Sequence, residues 1–139
     1  MIPAGFGGFI RGEGSDIAVT ERGANQASPQ LGEYDPEILC GACDGQLGRL
    51  DAYGLDVCRT FQAAHRRLGG GRFDIPAVDG DQFAKFVLAV LWRASISRRG
   101  SFESVALGRY QETARQVLFG VRDLGAGSVA LLEPLEPIA

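Results

Sequence analysis

Apolar residues recur at three- and four-residue spacing in the middle of the chain, and this pattern predicts a first helix from Asp44 onward. Asp44 is a suitable N-cap, and the glycines at 69–71 are expected to end the helix. Gly48 and Gly54 would each weaken this helix by up to about 1 kcal/mol, unless they permit close packing. The apolar stripe consists of Leu47, Leu50, Val57, Phe61, Ala64 and Leu68.

Two further helices follow in the second half of the chain. The second is predicted to begin after Asp79 or Asp81 and to end at Gly100. Its apolar face consists of Phe83, Phe86, Val87, Val90, Leu91 and Ala94. The third is predicted over residues 109–119, with Gly120 as its stop and with Tyr110, Ala114, Val117 and Leu118 facing inward.

The pattern before the first helix is irregular. Gly, Ser, Asn and Pro are frequent there, with one strand predicted at 16–20 and a turn at 21–25. Residues 38–39 are predicted to form a second short strand, and residues 128–132 a strand in the tail.

These elements predict one α+β domain over residues 1–139 that is mainly helical. Residues 1–43 form a small irregular, β-containing part, and residues 44–139 form a helical part. Hydrophobic content of 45% and charged content of 22% are ordinary for a globular protein. The longest apolar run, residues 86–92, is too short to span a membrane. An odd count of three cysteines argues against a disulfide framework and favours a cytoplasmic location.

Charge divides the chain into an acidic front and a basic middle. Residues 1–56 hold three arginines against nine acids, and residues 57–122 hold eleven basic residues against five acids. The sequence pI near 5.1 speaks against a dedicated nucleic-acid binder, although a nucleic-acid contact remains open. Mutual neutralisation of the two halves is the favoured explanation. The alternative is two binding faces. The acidic candidates are Glu33, Asp35, Glu37, Asp44, Asp51 and Asp56, and the basic ones are Arg98, Arg99 and Arg109.

Cys40 and Cys43 form a Cys-x-x-Cys pair. Such a pair either binds one metal ion or shapes a tight turn with two buried thiols, and the tight turn is favoured. A structural zinc site needs four nitrogen or sulfur ligands, and the only further soft ligands in the chain are Cys58 and His65. Either of these, an acid or a partner chain would have to complete the site. Cys58 lies on the apolar stripe and is expected in the core. His65 is expected at a helix end.

Three segments together resemble a known group, the HNH endonuclease-like proteins of bacteria and phages. Residues 2–6 resemble the tail of the Ser-His-Ile-Ile-Pro-like segment of that group. Residues 38–44 resemble its Leu-Cys-x-x-Cys knuckle, which opens a helix, and residues 86–97 resemble the helix that follows. The resemblance implies a nuclease scaffold with a metal ion.

Departures from that pattern imply that the scaffold has lost its catalytic machinery. An HNH nuclease needs a histidine base and a divalent ion. Met1 occupies the position of the base, and Asp44 replaces the His or Asn that often follows the second cysteine. Asn25 is a candidate for the central Asn.

Three functions follow from this combination. The leading hypothesis is a catalytically inactive, nuclease-derived interaction module that binds a protein partner, for example a phage or mobile-element inhibitor of a host defence complex of the anti-CRISPR kind. The second is an active metal-dependent HNH-type endonuclease whose base lies upstream of Met1. The third is a zinc-stabilised structural protein with Cys40 and Cys43 as ligands.

Overall fold

The computed structural model gives a mainly helical protein. It describes the backbone of residues 17–19 and 25–27, and in full residues 35, 37–68, 75, 77–98 and 102–125. Strands β1 (Ile17–Val19) and β2 (Asn25–Ala27) pair antiparallel. The strand predicted at 16–20 overlaps β1. The tail strand predicted at 128–132 lies outside the described residues, as do Glu33, Arg99, Met1 and the Ile-Pro segment.

Helix α1 spans Gly41–Leu68 and begins three residues earlier than predicted. The Asp44 N–H donates to the Cys40 carbonyl at 2.9 Å, so Cys40 holds the N-cap position and Asp44 lies in the first turn. The prediction of Asp44 as N-cap is therefore wrong. Residues 38–39 form a turn into the helix, so the strand predicted there is also wrong. Two adjacent apolar residues are compatible with a short strand or with a turn. Here they form a turn, because helix α1 begins directly after them.

Helix α2 spans Gly80–Ile96 and begins at the predicted cap. The Asp79 carboxylate accepts hydrogen bonds from the backbone N–H and the side-chain amide of Gln82, at 3.1 and 2.9 Å. The Tyr53 hydroxyl of α1 accepts from the Asp79 N–H at 2.6 Å and donates to its carbonyl at 3.3 Å. These bonds fix the start of α2 against the middle of α1. The helix ends where Ser97 turns extended.

A 3₁₀ turn at Gly108–Tyr110 leads into helix α3, Gln111–Leu118, close to the predicted 109–119. Gly120 follows with φ +75°, a left-handed conformation that favours glycine and ends helices. Tyr110 was predicted to face inward, but 58% of it is exposed. It belongs to the 3₁₀ turn, whose different period moves it off the buried face of α3.

Helix α2 packs between α1 and α3. The first apolar cluster joins all three helices and consists of Leu47, Ala89, Trp92, Ala114 and Leu118. The second joins α1 and α2 only and consists of Val57, Phe83 and Phe86. The start of α1 packs against the end of α2 in the first cluster, and the middle of α1 packs against the start of α2 in the second. The two helices therefore run antiparallel.

The predicted apolar faces extend further than the core. Leu91 and Leu68 are 44% and 52% exposed, although both were predicted to face inward. Phe61 and Ala64 are half-buried in the last turns of α1. Among the described residues, no helix combines the length and hydropathy that crossing a membrane requires.

Candidate functional site

The cysteine pair lies in the first turn of α1, open to solvent. Cys40 is exposed and Cys43 is partly exposed. The backbone N–H of Cys43 donates to the Cys40 sulfur at 3.4 Å, as a side-chain cap does. The expected turn with two buried thiols is therefore wrong about burial, because the turn belongs to a helix end that faces water.

The two thiols differ in acidity. Hydrogen bonds from the Cys43 backbone N–H, and then from the Cys43 thiol, lower the pKa of Cys40. The same thiol contact with Cys40 raises the pKa of Cys43. The backbone hydrogen bond from Cys43 thus favours the thiolate form of Cys40. A thiolate is the form that binds metals and attacks disulfides.

The other soft ligands of the chain lie far from the pair. Cys58 and His65 are on the same helix, about 22 and 33 Å beyond Cys43 along the axis at 1.5 Å per residue. Within the described part of the chain, no group of three His, Cys, Asp or Glu side chains could hold a metal ion. The donor set present thus fits half of a tetrahedral zinc site. Cys58 packs beside the second cluster as expected, and burial raises its pKa.

Asp35, one of the predicted contact acids, is buried and joins two segments. Its carboxylate accepts from the Ser97 hydroxyl at 2.9 Å and from the backbone N–H of Arg98 at 3.2 Å. It also accepts from the Glu37 N–H at 3.3 Å. This carboxylate therefore connects the segment before α1 to the end of α2. It is not a surface charge for a partner.

Asp51 is paired inside the protein as well. Its two oxygens accept from the guanidinium of Arg93 at 2.5 and 2.8 Å, a bidentate pair. Arg93 is 4% exposed, and its Nε also donates to the Ala89 carbonyl at 3.2 Å. Of the predicted acids in the described residues, Glu37, Asp44 and Asp56 are exposed. The described acids therefore do not form the continuous acidic row that a phosphate mimic would need.

The two described arginine candidates lie at different clefts. Arg98 is exposed and lines a cleft of about 290 Å³ together with Glu37 and the buried Asp35. Arg109 lies over the Tyr110 ring, 4.9 Å from its centroid, and donates to the Tyr110 hydroxyl at 2.7 Å. Arg98 and Arg109 therefore do not form one basic surface.

Arg109 lines a second cleft, of about 450 Å³, together with residues that the sequence did not single out, among them Glu112 and Arg115. Arg115 donates to both carboxylate oxygens of Glu112 at 2.8 and 2.7 Å. The spacing of these two residues by three was a visible signal for a helical ion pair. Nothing in the pattern indicated that they line a cleft beside Trp92.

Comparisons with protein-family models, curated proteins and solved structures found no match to this chain. The resemblance to HNH proteins therefore stays a prediction.

Proposed function

We propose that this chain is a protein-interaction module whose exposed cysteine pair shares a zinc ion with a partner. The observation that supports it is the solvent-facing turn at the start of α1. There Cys40 and Cys43 present two sulfurs one turn apart, and a backbone N–H stabilises the thiolate of Cys40. The two sulfurs would supply two of the four ligands that a structural zinc ion requires. A second copy of the chain is the simplest source of the other two.

The position of His65 argues for binding rather than hydrolysis. It lies about 33 Å along α1 from the cysteine pair, so it cannot activate a water molecule at a metal held there. General-base catalysis requires the base within hydrogen-bond distance of the water. No described residue beside the pair supplies an imidazole. The described part of the chain thus offers two sulfur ligands without a histidine base beside them.

Metal content and mass of the purified protein test the proposal together. We expect one zinc ion shared by two chains, measured by elemental analysis and light scattering of protein purified under reducing conditions. Cobalt(II) in place of zinc should give the intense visible bands of a tetrahedral thiolate site. Replacing both thiols, Cys40→Ser with Cys43→Ser, should remove the bands and the dimer. The matched control Cys58→Ser should retain both, because Cys58 is remote from the pair.

Two results would contradict the shared zinc. One is a wild-type protein that stays monomeric and metal-free in buffer containing excess zinc. The other is a Cys40→Ser, Cys43→Ser variant that binds zinc as the wild type does. A dimer that persists without metal would refute zinc bridging but leave self-association intact.

Thiol–disulfide exchange is a second candidate, favoured by the Cys43 backbone N–H that donates to the Cys40 sulfur at 3.4 Å and by the position of both thiols in one helical turn. The Cys40 thiolate would attack a small disulfide such as oxidised glutathione and release one thiolate. The Cys43 thiolate would then attack the Cys40 sulfur of the mixed disulfide and release the second. The net reaction converts a dithiol and a disulfide into a protein disulfide and two thiols. Equilibration with reduced and oxidised glutathione, followed by mass spectrometry, measures whether a Cys40–Cys43 disulfide forms.

A further inference from the structure

The cysteine pair brings two sulfur donors together without a third soft ligand beside them. The Cys43 thiol donates to the Cys40 sulfur, which also accepts from the Cys43 backbone N–H at 3.4 Å. The other thiol and the imidazole of the chain belong to Cys58 and His65, about 22 Å or more further along α1. Among the described residues, no third His, Cys, Asp or Glu joins the pair in a metal-binding group. One chain therefore supplies two sulfurs at one point.

Two sulfurs are the complete ligand set of a different metal ion. A structural zinc ion takes four ligands, so one chain leaves its coordination half filled. Copper(I) is a soft ion that thiolates select, and two thiolates on opposite sides of the ion complete a linear coordination. The exposed Asp44 follows Cys43, but its carboxylate oxygens suit hard cations such as magnesium or calcium. The donors of the pair thus match a soft monovalent ion.

The surroundings of the pair suit the complex that would form. One copper(I) ion that replaces two thiol protons gives a complex with one net negative charge, and both protons pass to solvent. The complex would lie at the start of a 28-residue helix, where the backbone N–H groups of the first turn favour negative charge. A Cβ built at Gly41 or Gly45 would meet nothing within 4 Å, so the site is open to solutes. A soluble chelator can therefore exchange the ion with the pair directly.

We propose that a single chain binds one copper(I) ion between the sulfurs of Cys40 and Cys43. Binding is a substitution of protons by the metal ion, and no electron is transferred. The inference concerns the same cysteine pair as the proposed function but does not depend on zinc bridging. Zinc would be shared between two chains, whereas copper(I) would be held by one chain. The ion that is bound would then decide whether the cysteine pair links two chains.

Competition with bicinchoninate tests the proposal, because the copper(I) complex of this chelator is coloured and loses its colour when the protein takes the ion. The full chain is titrated without oxygen in a reductant that contains no thiol. We expect it to remove copper(I) up to one ion per chain, and light scattering should give the same mass as for the metal-free protein. Copper X-ray absorption should show two sulfur neighbours. Unchanged colour, or a mass that doubles when copper(I) is added, overturns the proposal.

Single substitutions test the ligands. Cys40→Ser and Cys43→Ser should each abolish the competition, because a serine hydroxyl is a hard oxygen donor that replaces one of only two sulfurs. Cys58→Ser is the matched control and should bind copper(I) as the wild type does. Asp44→Asn should not weaken binding, since its carboxylate is not a ligand. Retained binding in Cys40→Ser or Cys43→Ser, or a loss in Cys58→Ser or Asp44→Asn, contradicts the two-sulfur site, provided that circular dichroism shows each variant folded.

The zinc and copper experiments separate this inference from the proposed function. Copper(I) bound by a chain that stays monomeric and metal-free in excess zinc would refute the shared zinc ion and support the two-sulfur site. A zinc-bridged dimer that leaves the bicinchoninate complex intact would support the shared zinc ion and refute copper(I) binding.

Discussion

Two glycines of α1 differ sharply in what a side chain would meet. A Cβ at Gly54 would overlap the Phe86 ring, whereas a Cβ at Gly48 would meet nothing within 4 Å. Gly54→Ala should therefore destabilise the protein by about 1–3 kcal/mol through overpacking. Gly48→Ala should stabilise it by up to about 1 kcal/mol by improving helix propensity. Urea unfolding measures both, and a loss of stability in Gly48→Ala would contradict the open space at that position.

At the residue scale, sequence reasoning could identify chemistry but not pairing. It allowed close packing at Gly48 and Gly54 alike, because only the position of Phe86 separates them. It also treated Asp35 and Asp51 as surface acids. The Ser97 and Arg93 partners of these acids lie 62 and 42 residues further along the chain. No local pattern indicates contacts over such distances.

The ion pair between Asp51 and Arg93 connects α1 to α2 near the first cluster. Asp51→Ala would leave a guanidinium that is 4% exposed without its counter-charge, which typically costs about 3–5 kcal/mol. The exposed Asp56→Ala on the same helix is the control and should change stability little. The double variant Asp51→Leu, Arg93→Met should recover much of the loss, because no charge remains buried. A small effect of Asp51→Ala in urea unfolding would show that water solvates Arg93.

The start of α2 should respond to acid. Hydrogen bonds from the Gln82 side chain, and then from its backbone N–H, lower the pKa of Asp79. A carboxyl with a lowered folded pKa adds stability above its unfolded pKa of about 3.9, and loses it as pH falls through the folded pKa. Asp79→Asn should therefore be less stable than wild type near neutral pH, with the difference shrinking below about pH 4. Urea unfolding across this range measures it, and a difference independent of pH would contradict the role of the charge.

At the element scale, periodicity predicted all three helices, but it misplaced the start of the first. Asp79 was recognised as a cap because aspartate is a common cap residue. Cys40 was not, because a cysteine sulfur rarely has that role and Asp44 was the stronger signal. The exposure of the cysteine pair follows from the start of α1 at Gly41, and composition alone did not locate that start. The cleft at Trp92 was beyond prediction for a related reason, since it needs α2 and α3 side by side.

At the scale of the whole molecule, α1 and α2 run through both apolar clusters. Leu47 and Val57 contribute to different clusters but lie on one continuous helix. Leu50 packs against both clusters and joins them. Opening one cluster would expose the other, so the three helices should unfold as one cooperative unit.

Val57→Ala tests this cooperativity from a distance. The substitution removes apolar volume from the second cluster and should cost about 2 kcal/mol. Trp92 belongs to the first cluster, so its fluorescence reports unfolding remote from the mutated residue. The Trp92 transition in urea should shift by the same amount as the helical signal in circular dichroism, and Leu47→Ala should shift both together by about 2–5 kcal/mol. If Val57→Ala shifted the helical signal alone, the two clusters would be separate folding units, and the cleft at Trp92 could then persist without the second cluster.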